Sequence, residues 1–497
     1  MNIDRRTVLK AALSTPAVTM MHGSAADAAT KIRVKNSVPG ATPFISNVTI
    51  SGVPLSSLQT IEFVVQPKKG STTKGIGATY TNSYLHSKGL TNPATGEVTI
   101  PVFGLYASDA ISRNVVTFTI RCRGLKTLLS YPLITIPWQD PTGSGYSAPT
   151  VVQARNNEVA LGFSTYLLKA WDLPGTPLIV DTDGEVRWVF PPDPAVTIWP
   201  TSGFFNNGIY IGNNDELVRA ELNGLTTHLS SYEGAGYTNI NEHNIDQGKF
   251  GMLIEAETAT DVQSCIIEVN EKGKLLNSWN FATIISAAMS AGGDDPTGFV
   301  VPKSDWFHLN SATFWKEHNQ IIASSRENFV IAVDYDTKKI QWILGDTSKA
   351  WFRYPSLRAF ALTMTPGSTA PIGQHAVSIN NNNLLLFDDG TSSDFQSPPG
   401  ISRGYSMIRK YSIDLKKMTA MEIWNFNHTP EIYSAYTSSV YEVGSSYLID
   451  YAFDANGPLL VGLGEDDEVA FQYQYPGGEG IAWCASPVDL SSLIFTA

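Results

Sequence analysis

A chain of 497 residues exceeds what one hydrophobic core serves, so two regions, or one large repeat architecture with a small companion, are expected. Hydrophobic residues make up 43% of it and charged residues only 16%, which excludes a disordered chain. The 34 basic and 46 acidic side chains give a formal charge of −12 with no basic stripe, which excludes a nucleic-acid partner. With 40 Gly and 28 Pro and no long Ala/Glu/Lys/Leu runs, the expected class is all-β, built from many short strands and turns. Three cysteines, Cys122, Cys265 and Cys484, lie too far apart for a metal-ligand spacing and allow at most one bridge.

Residues 1–30 read as an export signal. The run Asp4-Arg5-Arg6-Thr7-Val8-Leu9-Lys10 is twin-arginine-like, a weakly apolar stretch follows to Met21, and Ser24-Ala25-Ala26-Asp27-Ala28 suits cleavage. The expected compartment is the periplasm, and no later stretch is apolar for long enough to span a membrane.

Residues 31–137 carry short β-branched segments at sandwich spacing, among them Val48-Thr49-Ile50, Val98-Thr99-Ile100-Pro101-Val102 and Val115-Val116-Thr117-Phe118-Thr119-Ile120, which predicts a small Ig-like β-sandwich. A Pro/Gly/Ser-rich linker over 138–149 ends it. From 150 to 497 one unit recurs six times: an apolar strand, an acidic or Gly/Lys turn, and a strand ending in an aromatic. Its copies close on Trp188, Tyr232, Trp279, Trp342, Trp424 and Phe471. Repeated hairpins with a terminal aromatic predict a six-bladed β-propeller with variable loop insertions.

Three histidines share a phase in these repeats. His243 precedes Trp279 by 36 residues and His308 precedes Trp342 by 34, while His375 precedes Trp424 by 49 because of a longer loop from Asp388 to Gly400. The sixth repeat puts Thr437 at that phase. First strands of propeller blades line the central channel, so the three imidazoles are expected to converge there. Arg326, after the second strand of the His308 repeat, is an always-charged forked donor suited to clamping an oxyanion. A three-histidine metal site is the competing use, ranked lower because no carboxylate at an obvious spacing accompanies all three.

Several ordered motifs carry a family resemblance: Asp305-Trp306-Phe307-His308-Leu309-Asn310-Ser311, Ser324-Ser325-Arg326, Val333-Asp334-Tyr335-Asp336 on to Gly345-Asp346, Gly373-Gln374-His375 and Ser402-Arg403-Gly404-Tyr405-Ser406. Together they resemble the bacterial arylsulfate sulfotransferases, which pair an N-terminal sandwich with a six-bladed propeller and need no nucleotide sulfate. The resemblance implies transfer of a sulfuryl group from an aryl sulfate donor to a phenolic acceptor. By position, His375 matches the histidine that becomes sulfated, His308 and Arg326 match residues that hold the sulfuryl group, and His243 matches the remaining active-site histidine. Asn310 and Thr437 fit lesser polar contacts to substrate. The scheme needs no metal and no organic cofactor, and a homodimer is the candidate assembly. The disulfide that some members carry near the active site has no counterpart, since no cysteine lies between Cys265 and Cys484. The competing readings are a non-catalytic propeller binding an extracytoplasmic anion or glycan, and a sulfatase-like hydrolase using the same site.

Overall fold

The computed structural model describes residues 31–107, 111–139, 148–169, 177–191, 193–196, 201–476 and 482–497. The export signal expected over 1–30 and most of the linker expected over 138–149 lie outside them. The described chain is almost entirely β, as its composition requires, and no described helix is long and apolar enough to cross a membrane.

The N-terminal region is two sheets over a shared core. One contains Arg33–Pro39, Ile45–Ser51, Glu97–Phe103 and Thr91–Asn92; the other contains Ile76–Thr81, Leu58–Val65, Ser112–Cys122 and Leu125–Thr135. Period-two alternation turns Val48 and Ile50, Ile61 and Phe63, Val98 and Ile100, and Val116 and Phe118 inward, all of them buried.

Six antiparallel meanders follow, and each predicted hairpin is the third and fourth strand of one of them, except that the first sheet is completed from the far end of the chain. Neighbouring sheets touch in succession. Thr165–Lys169 of the first sheet meets Ser202–Phe205 of the second, which meets Ile245–Gln247, then Leu309–Trp315, Gln374–Asn380 and Ser439–Val443. The last of these meets Cys484–Val488, the inner strand of the first sheet, so the ring of sheets closes on itself. This is a β-propeller whose closure is doubled: Thr150–Gln153 adds an outer strand to the sixth sheet and Cys484–Val488 an inner strand to the first.

The terminal aromatics pack one sheet onto the next. Trp188 Nε1 donates to the Leu222 carbonyl at 3.2 Å, Trp279 lies edge-on to Tyr335 at 5.2 Å, and Phe471 stacks near Tyr166 at 6.4 Å. Trp424 is only half-buried and stacks on Tyr447 at 4.4 Å.

The second region does not run to the chain end. Leu493–Phe495 returns to the N-terminal region and pairs in parallel with Ile76–Thr81, so the sequence-based boundary at 497 is corrected: too short to show alternation, this strand gave no sign of its partner. The sandwich core is also continuous with the first two propeller sheets through Leu167, Ile179, Trp188 and Ile209. Arg187 pins the junction: fully buried, it pairs with Asp181 at 2.8 Å, donates to the Gly104 carbonyl at 2.7 Å and 3.1 Å, and lies over the Tyr106 ring.

All three cysteines are buried and free. Beyond packing, Cys484 Sγ makes a weak hydrogen bond, at 3.8 Å to Tyr441 Oη, so replacing all three by alanine, which adds no buried hydroxyl, should leave turnover within about twofold of the parent. Transferase rates with and without reductant check this. Loss of activity in the alanine variant with the fold retained, or on reduction of the parent, would contradict it.

Candidate active site

The histidines enter the channel because inner strands begin at one rim of the ring. His243 lies two residues before Ile245–Gln247, His308 one residue before Leu309–Trp315, and His375 is the second residue of Gln374–Asn380. Thr437 lies two residues before Ser439–Val443, and Trp483 one residue before Cys484–Val488. All five line a single cavity of about 320 Å³ with Glu242, Gln263, Arg326, Tyr436 and Phe453.

The backbone is bent at these points. His308, Ala376 and Thr437 have φ of 48°, 50° and 56°, a conformation costly for residues with a Cβ. Ladder register also shifts between Leu309 and Ser311 and between His375 and Ser378. Such bulges re-aim side chains at the end of a strand. Behind His308, a helix over Phe281–Ala291, capped by Asn280, stacks Phe281 on Phe307 at 5.0 Å and fixes the residue that precedes the imidazole.

One donor nitrogen from each histidine lies within 4.8 Å of the others. Ring centroids are 5.1 Å apart for His243 and His308, 6.3 Å for His243 and His375, and 6.5 Å for His308 and His375. Each Nδ1 has a carboxylate oxygen beside it: Glu255 at 2.8 Å from His243, Asp305 at 2.5 Å from His308 and Asp389 at 2.8 Å from His375. Of the three, only His308 Nδ1 is aligned for a hydrogen bond with its carboxylate; His375 Nδ1 faces the Gly373 carbonyl at 3.3 Å, and His243 Nδ1 is buried without a hydrogen-bond partner among the described residues. A proton held on Nδ1 of His308 and His375 leaves Nε2 of each with a free lone pair. A carboxylate oxygen thus lies beside each of the three histidines, from residues that share no common spacing in the sequence.

Burial pushes His243 below the ordinary histidine range. It pushes His375 well below, with the positive charge of His243, His308 and Arg326 acting in the same direction. Neutral imidazole is thus the resting form of His375. Burial likewise raises Glu255 and Asp389 well above the usual carboxylate range.

Arg326 follows Gln320–Ser325 and is drawn to His308 by its own N–H, which donates to the His308 carbonyl at 3.1 Å. Its Nη1 donates to Glu327 at 2.5 Å and its Nη2 to Asp394 at 2.9 Å, while the guanidinium lies 4.7 Å over the Tyr436 ring. Burial opposes its charge, but Glu327, Asp389 and Asp394 hold it above its ordinary value. Its Nε is buried without a hydrogen-bond partner among the described residues, a donor left for a ligand. Thr437 Oγ1 is likewise buried and unpartnered there.

Asn310 does not line the cavity. Its amide donates to the Gln374 carbonyl at 2.9 Å, so it ties the fourth sheet to the fifth just before His375. The ladder register shifts between Leu309 and Ser311, on either side of Asn310, an irregularity that phase counting does not reveal. Sequence reasoning missed Glu255, Asp305, Asp389, Trp483, Tyr436 and Phe453. It treated Asp388 to Gly400 as an insertion, yet that segment supplies Asp389 behind His375, Asp394 on Arg326, and Ser393 on Glu327.

The arrangement offers a buried neutral nucleophile, a forked cation and two further imidazoles inside aromatic walls. The family model described as Arylsulfotransferase (ASST) matches residues 149–474. The chain is 24% identical over 262 residues to the arylsulfate sulfotransferase AssT of Escherichia coli, covering 42% of this chain and 43% of that protein. It is 22% identical over 225 residues to AssT of Lelliottia amnigena, covering 36% and 37%. It therefore spans less than half the length of these curated relatives. Among solved structures, the β-propeller domain of Myceliophteria thermophila Cps50 (Swd1) aligns at a TM-score of 0.35 and 9% identity, over 67% of this chain and 88% of that one.

Proposed function

The chain belongs to the arylsulfotransferase family, and from that premise we propose that it moves a sulfuryl group from an aryl sulfate to a phenol through a sulfohistidine on His375. The observation that carries this reading is the convergence of His243, His308, His375 and Arg326 on one aromatic-walled cavity.

In the first half-reaction the Nε2 lone pair of neutral His375 attacks sulfur. The sulfur–oxygen bond to the ring breaks, its electron pair leaves on the phenolate, and an N–S bond forms. Charge in the loose transition state is spread over the sulfuryl and leaving oxygens, so fixed donors matter most. Of the side chains that line the cavity, Arg326 Nε and Thr437 Oγ1 are buried donors without a hydrogen-bond partner among the described residues. Trp483, Tyr436 and Phe453 take the aryl ring.

The departing phenolate needs a proton. Burial favours neutral His243, whereas the His308 side chain retains 22% exposure and has Asp305 beside it. The scheme therefore assigns proton delivery to His308, which recovers the proton when a second phenol attacks the sulfohistidine. On the strength of its twin-arginine-like leader, we place the reaction in the periplasm.

With p-nitrophenyl sulfate alone, the enzyme should release nitrophenol once per active site and stop; added phenol should restore steady turnover. Sustained release without phenol would identify a hydrolase instead. Exhaustive treatment with a chelator should leave the phenol-dependent rate unchanged, because no step uses a metal. A rate lost on chelation and restored by one divalent ion would reassign the chemistry.

A further inference from the structure

The cavity is unusually rich in carboxylates for a place that receives an anion. Glu255, Asp305 and Asp389 back the three imidazoles, and Glu242 lines the cavity itself. Against these stands Arg326, already engaged by Glu327 and Asp394. An incoming divalent cation would meet three ring nitrogens with carboxyl oxygens close behind them.

The donor arrangement suits such a cation. A histidine that ligates a metal through one nitrogen almost always places the other against a carboxylate, a carbonyl or water, which fixes its tautomer and raises its basicity. Here His308 Nδ1 is hydrogen-bonded to Asp305 at 2.5 Å and His375 Nδ1 to the Gly373 carbonyl at 3.3 Å, while a Glu255 oxygen lies 2.8 Å from His243 Nδ1 without hydrogen-bond alignment. Imidazole donors are preferred by zinc and its neighbours rather than by magnesium or calcium. Tetrahedral ligation at about 2.0–2.1 Å separates ligand nitrogens by about 3.4 Å. The present separations, all within 4.8 Å, must therefore close by no more than about 1.5 Å.

We infer that the three-histidine centre is also a chelating site for a divalent cation of the zinc class, held by Nε2 of His243, His308 and His375, and that this cation and the aryl sulfate exclude each other. Exclusion follows because the cation occupies the lone pair that attacks sulfur. That second part rests on the sulfotransfer reading; binding of the cation does not.

The test uses the full, untagged chain stripped of metal. Calorimetric titration with zinc chloride should give one site per chain, and cobalt(II) should give the intense visible bands of a four-coordinate ion. Asp305→Ala should weaken zinc by about 10- to 100-fold through the loss of its hydrogen bond to His308. His308→Gln should abolish saturable binding, with His243→Gln as the second variant should the first fail to fold by circular dichroism. The absence of saturable heat and cobalt bands in the parent chain would overturn the site, as would undiminished zinc affinity in a folded histidine variant. Zinc should also suppress turnover of p-nitrophenyl sulfate in a manner relieved by more substrate. Zinc that binds without slowing turnover would overturn the exclusion. A chain that binds zinc but never turns over aryl sulfate would uphold the site and remove the sulfotransfer reading.

Discussion

Replacing His375 by asparagine should abolish both half-reactions while the fold is retained. No other group forms the covalent bond in the proposed scheme, and asparagine keeps a similar volume and polarity in a buried position beside Asp389. The expected residue of activity is background only, in the burst of nitrophenol as well as in phenol-dependent turnover. Melting should shift by a few degrees at most, because the support of the strand through Asn310 and Gln374 is main-chain on the His375 side. Appreciable transfer by this variant would move the nucleophile to another residue.

Arg326→Lys should lower kcat by about a hundredfold or more, the usual cost of losing one oxyanion donor in a buried site. The ammonium keeps the charge, but it cannot bond Glu327 and Asp394 in a fork and still offer a third donor, as Nε does now. The loss should fall on kcat more than on KM if the free Nε–H acts chiefly in the transition state. A twofold change in either constant would show that Arg326 serves only the network beneath the cavity. Circular dichroism and melting separate that outcome from misfolding.

Much of this site could be read from the sequence because repetition exposes phase. The hairpins ending at Trp188, Trp279, Trp342 and Phe471 recur with turn and aromatic intact, since each aromatic must pack between sheets. Counting back from Trp279, Trp342 and Trp424 set His243, His308 and His375 at one rim. The same logic applied to second strands would have found more. In an antiparallel hairpin the start of the first strand and the end of the second lie side by side at one rim. The second strands of the fourth to sixth sheets accordingly deliver Arg326, Asp389 and Phe453 just beyond their ends, while Glu255 lies within Met252–Thr258, one residue past its pairing with Ile245–Gln247.

Other parts were hidden for physical reasons. Trp483 immediately precedes the inner strand of the first sheet, which comes from the far end of the chain, so no count along a repeat reaches it. Asp305 approaches His308 from the preceding loop, only three residues away, and shares no phase with Glu255 or Asp389. The return of Leu493–Phe495 to the N-terminal sheet left no mark in three residues of pattern.

The central claim is a covalent sulfohistidine on His375, and the direct measurement is the mass of the enzyme mixed rapidly with p-nitrophenyl sulfate in the absence of acceptor. The account predicts a gain of one sulfuryl group per chain, located after digestion on the peptide that contains His375 and removed when phenol is added. An enzyme that transfers sulfuryl groups without such a gain, or that carries the group on His243 or His308, would contradict it.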